Sequence, residues 1–169
     1  NISTYASEKI WTPIQAEEDA MWSLDKKNGM EKGYCCFNTN ARDFARLGQL
    51  ILNKGYWDGV PVVDSNYIRE ATTPATWLKY TRQLLPGETS PRPDVPCTFY
   101  GYQFWIVNYQ GLKIPYMRGI LGQYIFVIPQ LDAVIVRLGK DRDKEYNVEQ
   151  DYTKDLEIWL KAGLEVINR

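Results

Sequence analysis

Two places in this sequence hold residue types at a spacing that can do chemistry. The first is Ser23-Leu24-Asp25-Lys26. Where a Ser and a Lys stand three apart at the start of a buried helix, the Lys lies one turn from the hydroxyl. Once an apolar setting strips its proton, it serves as the base. Here Asp25 and Lys27 flank Lys26, and an Asn28-Gly29 turn signal follows. A neighbouring carboxylate keeps an ammonium charged, so the four residues read as a solvated loop, and no catalytic residue is assigned in this chain. The second place is the entrance to "MRGILGQYIFVIPQLDAVIVRLG", residues 117–139. Its two alternating apolar runs need only a sheet. Nothing about a sheet needs Arg118, Gly119, Gly122 and Gln123 at its entrance.

Other chemistries are excluded by composition. The chain has no His, which removes the Ser-His-Asp triad, the Cys-His pair and most zinc sites. Cys35, Cys36 and Cys97 form no Cys-x-x-Cys pair. Adjacent cysteines seldom bridge, so all three are expected to be small buried hydrophobes. No metal and no cofactor is expected. The 21 carboxylates are dispersed and single out no glycosidase couple. The aromatic residues fall mostly on core positions of strands and helices, although an exposed, coplanar set at Trp57, Trp77 and Trp105 would suit a carbohydrate. Net charge is −1 with no long basic run, so no nucleic-acid partner is expected. No apolar run approaches the ~20 residues of a membrane span.

The elements that must position these residues follow from periodicity. The chain opens on "NISTYASEKIW" with Ile2, Ala6 and Ile10 already in helical register and no charged-then-apolar leader. It therefore reads as part of a longer protein. A short helix over 3–11 is stopped by Pro13. Residues 14–33 are mixed and polar. "NARDFARLGQLILNKG" is the strongest helix, capped by Asn40, with Asp43 facing the positive end of the dipole and Gly55 just past its end. Its stripe is Ala41, Phe44, Ala45, Leu47, Gly48, Ile51 and Leu52, with Phe44, Leu47 and Ile51 expected to be buried. Gly48 inside a helix needs a close neighbour to justify it. An Asp58-Gly59 turn and a helix capped by Asp64 follow. Strands are expected at 99–109, 113–119, 122–129 and 133–139, the last two as an antiparallel hairpin. A closing helix would present Leu156, Trp159, Leu160, Leu164 and Ile167 on one side. The whole is α+β, an antiparallel sheet of about three to five strands covered by helices. It maps as one partial domain over 1–169: mostly helical to 75, a Pro-rich loop over 76–98, strands over 99–140, and a helix over 150–168.

At this point the segments resemble a known family. "NTNARDFARLGQLILNKGYWDGVPVV" resembles the T-A-R-D-x-A-R-x-G-Q-L-x-L-N-x-G segment of the β-lactamase-related serine hydrolases, which include class C β-lactamases, DD-peptidases and similar esterases or amidases. "YGYQFWI" followed by "RGILGQYIFVIPQLDAVIVRLG" is similar to that family's Y-G-x-G-W strand and its G-x-x-G-Q-x-I-x-V-x-P-x-x-D-x-V-V-V hairpin. "YASEKIWTPI" is similar to its helix ending at Pro-Leu-Gly. The likeness covers roughly residues 2–140, in the family's order.

The resemblance implies the C-terminal part of a β-lactamase/transpeptidase-like fold, of the penicillin-binding-protein type. It implies acyl transfer through an acyl-enzyme, on an amide, a β-lactam or an ester carried by a small molecule or peptide. The family's Ser-x-x-Lys and Tyr-x-Asn motifs lie before the point where this chain begins, so the chain alone is expected to be inactive. Arg118-Gly119-Ile120 occupies the third active-site element, usually Lys-Thr-Gly or His-x-Gly. There a glycine admits substrate to the backbone, the Ile120 N–H can face an oxyanion, and a cation can hold a substrate carboxylate. Arg118, Gly119 and Ile120 are therefore the expected substrate-binding residues. The family's location is often periplasmic or exported. The absence of Lys or His at 118–120 supports the alternative of a non-catalytic binding or scaffold module that keeps only the fold. The missing N-terminal half of the same protein, or self-association through an open sheet edge, is the expected partner.

Overall fold

The computed structural model describes residues 1–80, 95–147 and 150–167. Helix α1 (Ile2–Ala6) starts on Asn1, whose side chain accepts from the Thr4 N–H, and continues as a π-turn over Ser7–Trp11. Strands β1 (Met21–Trp22) and β2 (Phe37–Asn38) pair antiparallel. Helix α2 (Ala41–Leu52) is capped by Asn40, as its sequence requires. Strands β3 (Tyr56–Trp57) and β4 (Val60–Pro61) form a hairpin around Asp58 and Gly59, both at positive φ. Helix α3 (Ser65–Ala71) has Asp64 as its cap. Strands β5 (Lys79–Tyr80) and β6 (Val95–Pro96) pair at the two ends of the Pro-rich stretch; residues 81–94 lie outside the described residues.

The sheet that matters is formed by β7 (Trp105–Tyr109), β8 (Leu112–Arg118), β9 (Tyr124–Ile128) and β10 (Ala133–Arg137), antiparallel throughout in the order β10-β9-β8-β7. Register follows the alternation: Ala133 faces Ile128, Arg137 faces Tyr124, and Arg118 also faces Tyr124 from the other side. Pro115 lacks an N–H, and the β8–β9 pairing begins only at Tyr116, beyond it. The chain closes with β11 (Tyr146–Asn147) paired to β12 (Tyr152–Thr153), then helix α4 (Asp155–Ile167).

Both faces of β9 are buried, which explains its unbroken apolar run. Tyr124, Phe126 and Ile128 pack with Tyr152, Leu156, Leu160 and Leu164 on the α4 side. Residue α2 Gly48 meets the other face: a Cβ there would lie 2.5 Å from Val134 Cγ1 and 3.0 Å from Ile125 Cγ2. That close approach is the packing reason the helical glycine needed. The architecture is thus helix, sheet, helix, and among the described residues no strand pairs with the outer edge of β10.

Several expectations are corrected. The α2 stripe is rotated: Leu50 and Asp43 are buried, while Phe44, Leu47 and Ile51 are half-buried. Asp43 is drawn inside because the 14–20 loop wraps over it, with Glu17 N and Glu18 N donating to its carboxylate at 2.8 and 3.1 Å. The strand expected at 99–109 starts only at Trp105. Ile106 N donates to Phe99 O and Gly101 N to Phe104 O, so 99–106 doubles back around Gln103 at φ +63. The closing helix begins at Asp155, since Tyr152–Thr153 is used as strand, and Trp159 and Ile167 stay partly exposed.

Cys35 and Cys36 are bonded to each other in a tight turn with Cys36 at φ +70, a backbone conformation adjacent cysteines rarely occupy; Cys97 is free and buried. Trp57 and Trp105 are half-buried and only Trp77 of the three is exposed, so these positions do not form an exposed aromatic face. No described helix is long and apolar enough to cross a membrane.

Candidate functional site

Ser23 and Lys26 lie on a hairpin arm, not a helix. Ser23 N donates to Cys36 O, and Asp25 Oδ1 accepts from the Lys26 and Met30 N–H groups, both at 2.8 Å. Ser23, Asp25 and Lys26 are all exposed. Their loop character follows from this local hydrogen bonding, which competes with a helix.

The tip of β8 is built differently. The chain turns back over Gly119–Gln123, with Gly119 N donating to Gln123 O at 2.8 Å and Gly122 N to Gly119 O at 3.2 Å. The Gln123 side chain fills the turn: its Oε1 accepts from Leu121 N at 3.1 Å and its Nε2 donates to Gly139 O at 2.5 Å. A Cβ on residue 119 would strike that side chain. Gly122 stands at φ +76, against the Arg137 guanidinium, which donates to its carbonyl. The pattern Gly-x-x-Gly-Gln is therefore a turn filled by its own glutamine. It leaves Ile120 exposed at 76 %, and no acceptor lies on its N–H among the described residues.

Arg118 is placed by other contacts. Its guanidinium carbon lies 3.5 Å from the Trp105 ring centroid. One terminal nitrogen donates to Asp151 O at 2.5 Å, and the other is 3.7 Å from the Asp151 carboxylate. The Arg118 side chain is only 13 % exposed. The free cation expected beside a substrate carboxylate is instead a stacked, paired one. Tyr146 donates its hydroxyl to the same carboxylate. Burial first, and the Asp151 charge with that bond, push Tyr146 up to about 12.

Beside Ile120 a shallow recess of about 460 Å³ opens, lined by Leu121, Asp141, Asp143, Tyr146 and Thr153 among others. Behind it Tyr124 shares its hydroxyl with Thr153 at 3.1 Å and with the Asp155 carboxylate at 3.2 Å; burial, with Asp155 adding to it, raises the phenol above its ordinary value. Asp155 also lies 3.7 Å from Arg137. The structure thus brings Arg118, Gly119 and Ile120 together at one strand tip. It adds Trp105, Asp151, Tyr146 and Gln123, of which Trp105 and Gln123 stand in the motifs quoted from the sequence. Asp151 is 33 residues from Arg118, and no spacing rule links them.

No protein-family profile matches the chain. Its sequence is 28% identical over 145 residues to a 6-aminohexanoate-dimer hydrolase of Paenarthrobacter ureafaciens, covering 85% of this chain and 34% of that protein. A solved structure described as "Putative 6-aminohexanoate-dimer hydrolase from Bacillus anthracis" superposes with a TM-score of 0.69, at 23% identity, over 96% of this chain and 37% of that one. The structural likeness speaks for the fold. The chain spans about a third of the length of these relatives. The T-A-R-D-like helix and the filled Gly-x-x-Gly-Gln turn thus stand in a chain that is similar in sequence to about a third of one hydrolase and alike in fold to about a third of a solved structure.

Proposed function

We propose that this chain supplies one wall of the active site of a serine hydrolase working by acyl transfer. Gly119 admits the scissile carbonyl to the backbone, and the Ile120 N–H donates to its developing oxyanion. The single observation that carries this is the N–H of Ile120, an exposed residue at the tip of β8 beside a recess, without an acceptor among the described residues. The serine and its lysine base come from a part of the protein outside this chain. The relatives are named for hydrolysing the dimer of 6-aminohexanoate, so among β-lactam, amide and ester the favoured substrate is a linear amide of a small molecule or short peptide. No Lys or His stands at 118–120, and this favours the second reading, a scaffold module without turnover.

Hydrolysis of a p-nitrophenyl ester and a linear amide separates the two. The full-length protein is expected to turn over both, and the 169-residue chain alone neither. A full-length protein inert to every ester, amide and β-lactam tried leaves the scaffold reading. Turnover by the chain alone, abolished in Ser23→Ala, overturns the assignment of the nucleophile.

Among the described residues no strand pairs with the outer edge of β10, a strand of alternating Val and Ile. In the full-length protein a strand from its N-terminal part covers it. For the 169-residue chain alone, light scattering at roughly 100 μM should report a dimer or larger species, because exposed apolar patches above a few hundred Å² are rare on monomers. A stable monomer contradicts this.

A further inference from the structure

We infer that Asp151, backed by Tyr146, is a positioning residue for the Ile120 N–H, acting through Arg118; the inference rests on the reading of Gly119–Ile120 as the oxyanion wall. The turn 119–122 joins β8 to β9, and an arginine stands at the end of each of the two strands that flank β9. Arg118 ends β8 and pairs with Asp151; Arg137 ends β10, holds Gly122 O, and pairs with Asp155. The two carboxylates come from neighbouring places, the residue before β12 and the first residue of α4. The turn is thus clamped from both ends against one buttress.

The Arg118 clamp is the one closer to the reacting position, one peptide away from Gly119. Its guanidinium lies over the Trp105 ring and is held by the Asp151 carbonyl and carboxylate. Both side chains are largely buried, at 13 % and 15 % exposure. In such a setting the loss of one charge leaves the other without compensation, so the arginine would leave its stack and the strand end would lose its anchor. Asp151 adopts φ +55, a conformation with a cost for a non-glycine residue, to place its carboxylate there. Tyr146, which donates to that carboxylate, fixes its orientation and also lines the recess beside Ile120. Arg118 therefore serves catalysis through the backbone it holds, not through a substrate charge.

The test uses the full-length protein with Asp151→Asn, Asp151→Glu, Tyr146→Phe and Arg118→Lys, on a neutral and on a carboxylate-bearing amide of the same acyl group. Asp151→Asn should lower kcat about 10- to 100-fold while KM moves little, since misplacing a group by an ångström has that effect. The loss should be equal for the two substrates. Tyr146→Phe should act in the same direction and less, and Asp151→Glu should recover part of the loss. In protein labelled with 15N-isoleucine, the Ile120 amide resonance should shift in Asp151→Asn, a readout that general destabilisation does not give.

An unchanged kcat with an unmoved Ile120 resonance overturns the inference. So does a loss confined to the carboxylate-bearing substrate, which would put Arg118 on the substrate. If the wild type hydrolyses nothing, the functional reading fails instead, and the Ile120 resonance alone decides the positioning: a shift upholds it and no shift overturns it.

Discussion

Gly119→Val in the full-length protein should lower kcat/KM by about 100- to 1,000-fold, the usual effect of losing one oxyanion donor. The cause is steric before it is electronic. A side chain at 119 collides with Gln123, whose amide holds Leu121 N on one side and Gly139 O on the other. Moving Gln123 opens the turn and swings the Ile120 N–H away from the position it must hold. If this is the mechanism, Gln123→Ala should be less damaging than Gly119→Val. The double variant Gly119→Val/Gln123→Ala should then lose less than the sum of the two single losses, because the collision is gone. The melting temperature should move little, since Ile120 and Leu121 are exposed and the turn lies outside the core cluster. Wild-type kcat/KM in Gly119→Val would remove the strand tip from the active site.

Asp43→Ala should be the most destabilising single change on the α2 side. Asp43 has no exposed surface. It accepts from Glu17 N, Glu18 N and the Asn40 amide, and it lies 3.2 Å from Arg46. Removing it leaves two loop N–H groups and the Asn40 amide without their acceptor, and leaves the Arg46 guanidinium with Glu17 alone. A loss of about 3–5 kcal/mol is expected, which for a chain of this size is a fall in melting temperature of roughly 10 °C. Burial alone would raise the Asp43 carboxyl. The Glu17 and Glu18 N–H groups, Asn40 and Arg46 outweigh it, and the net shift is downward. The folded value therefore lies below the ordinary ~4 of a carboxyl. The stability it contributes is complete above that ordinary value and is lost as pH falls through the lower folded one. Denaturant midpoints of wild type and Asp43→Ala should accordingly converge at low pH. A difference that stays constant down to pH 2 would assign the loss to packing.

The parts of this fold that could be read in the sequence are those whose causes are local. Asn40 and Gly55 bracket α2, Asp64 starts α3, and the alternation of 122–139 sets both strands and their pairing. Gly119 and Gly122 mark the turn at the tip of β8. What could not be read depends on distant contacts. Phe99 to Trp105 has the composition of a strand, yet Gly101 lies so close to the Ala71 and Thr73 carbonyls that a Cβ would not fit there, and the chain turns back. Asp43 looked like a first-turn surface residue because nothing in its own helix says that the 14–20 loop closes over it. Arg118 reads in the sequence as a cation for a substrate carboxylate because its partners are distant: Trp105 comes from β7 and Asp151 from the turn before β12. The bond between Cys35 and Cys36 depends on the backbone at 36, which residue type does not dictate.

The central claim is that these residues form a wall of a serine acyl-transfer site whose nucleophile lies outside this chain. Intact-mass spectrometry after exposure to a fluorophosphonate probe tests it most directly. The full-length protein should gain a single adduct, mapped by peptide digestion to a serine outside the 169 residues described here, in a Ser-x-x-Lys setting. The 169-residue chain alone should gain none. An adduct on Ser23, or a full-length protein that turns over amides yet never forms a serine adduct, would contradict the account.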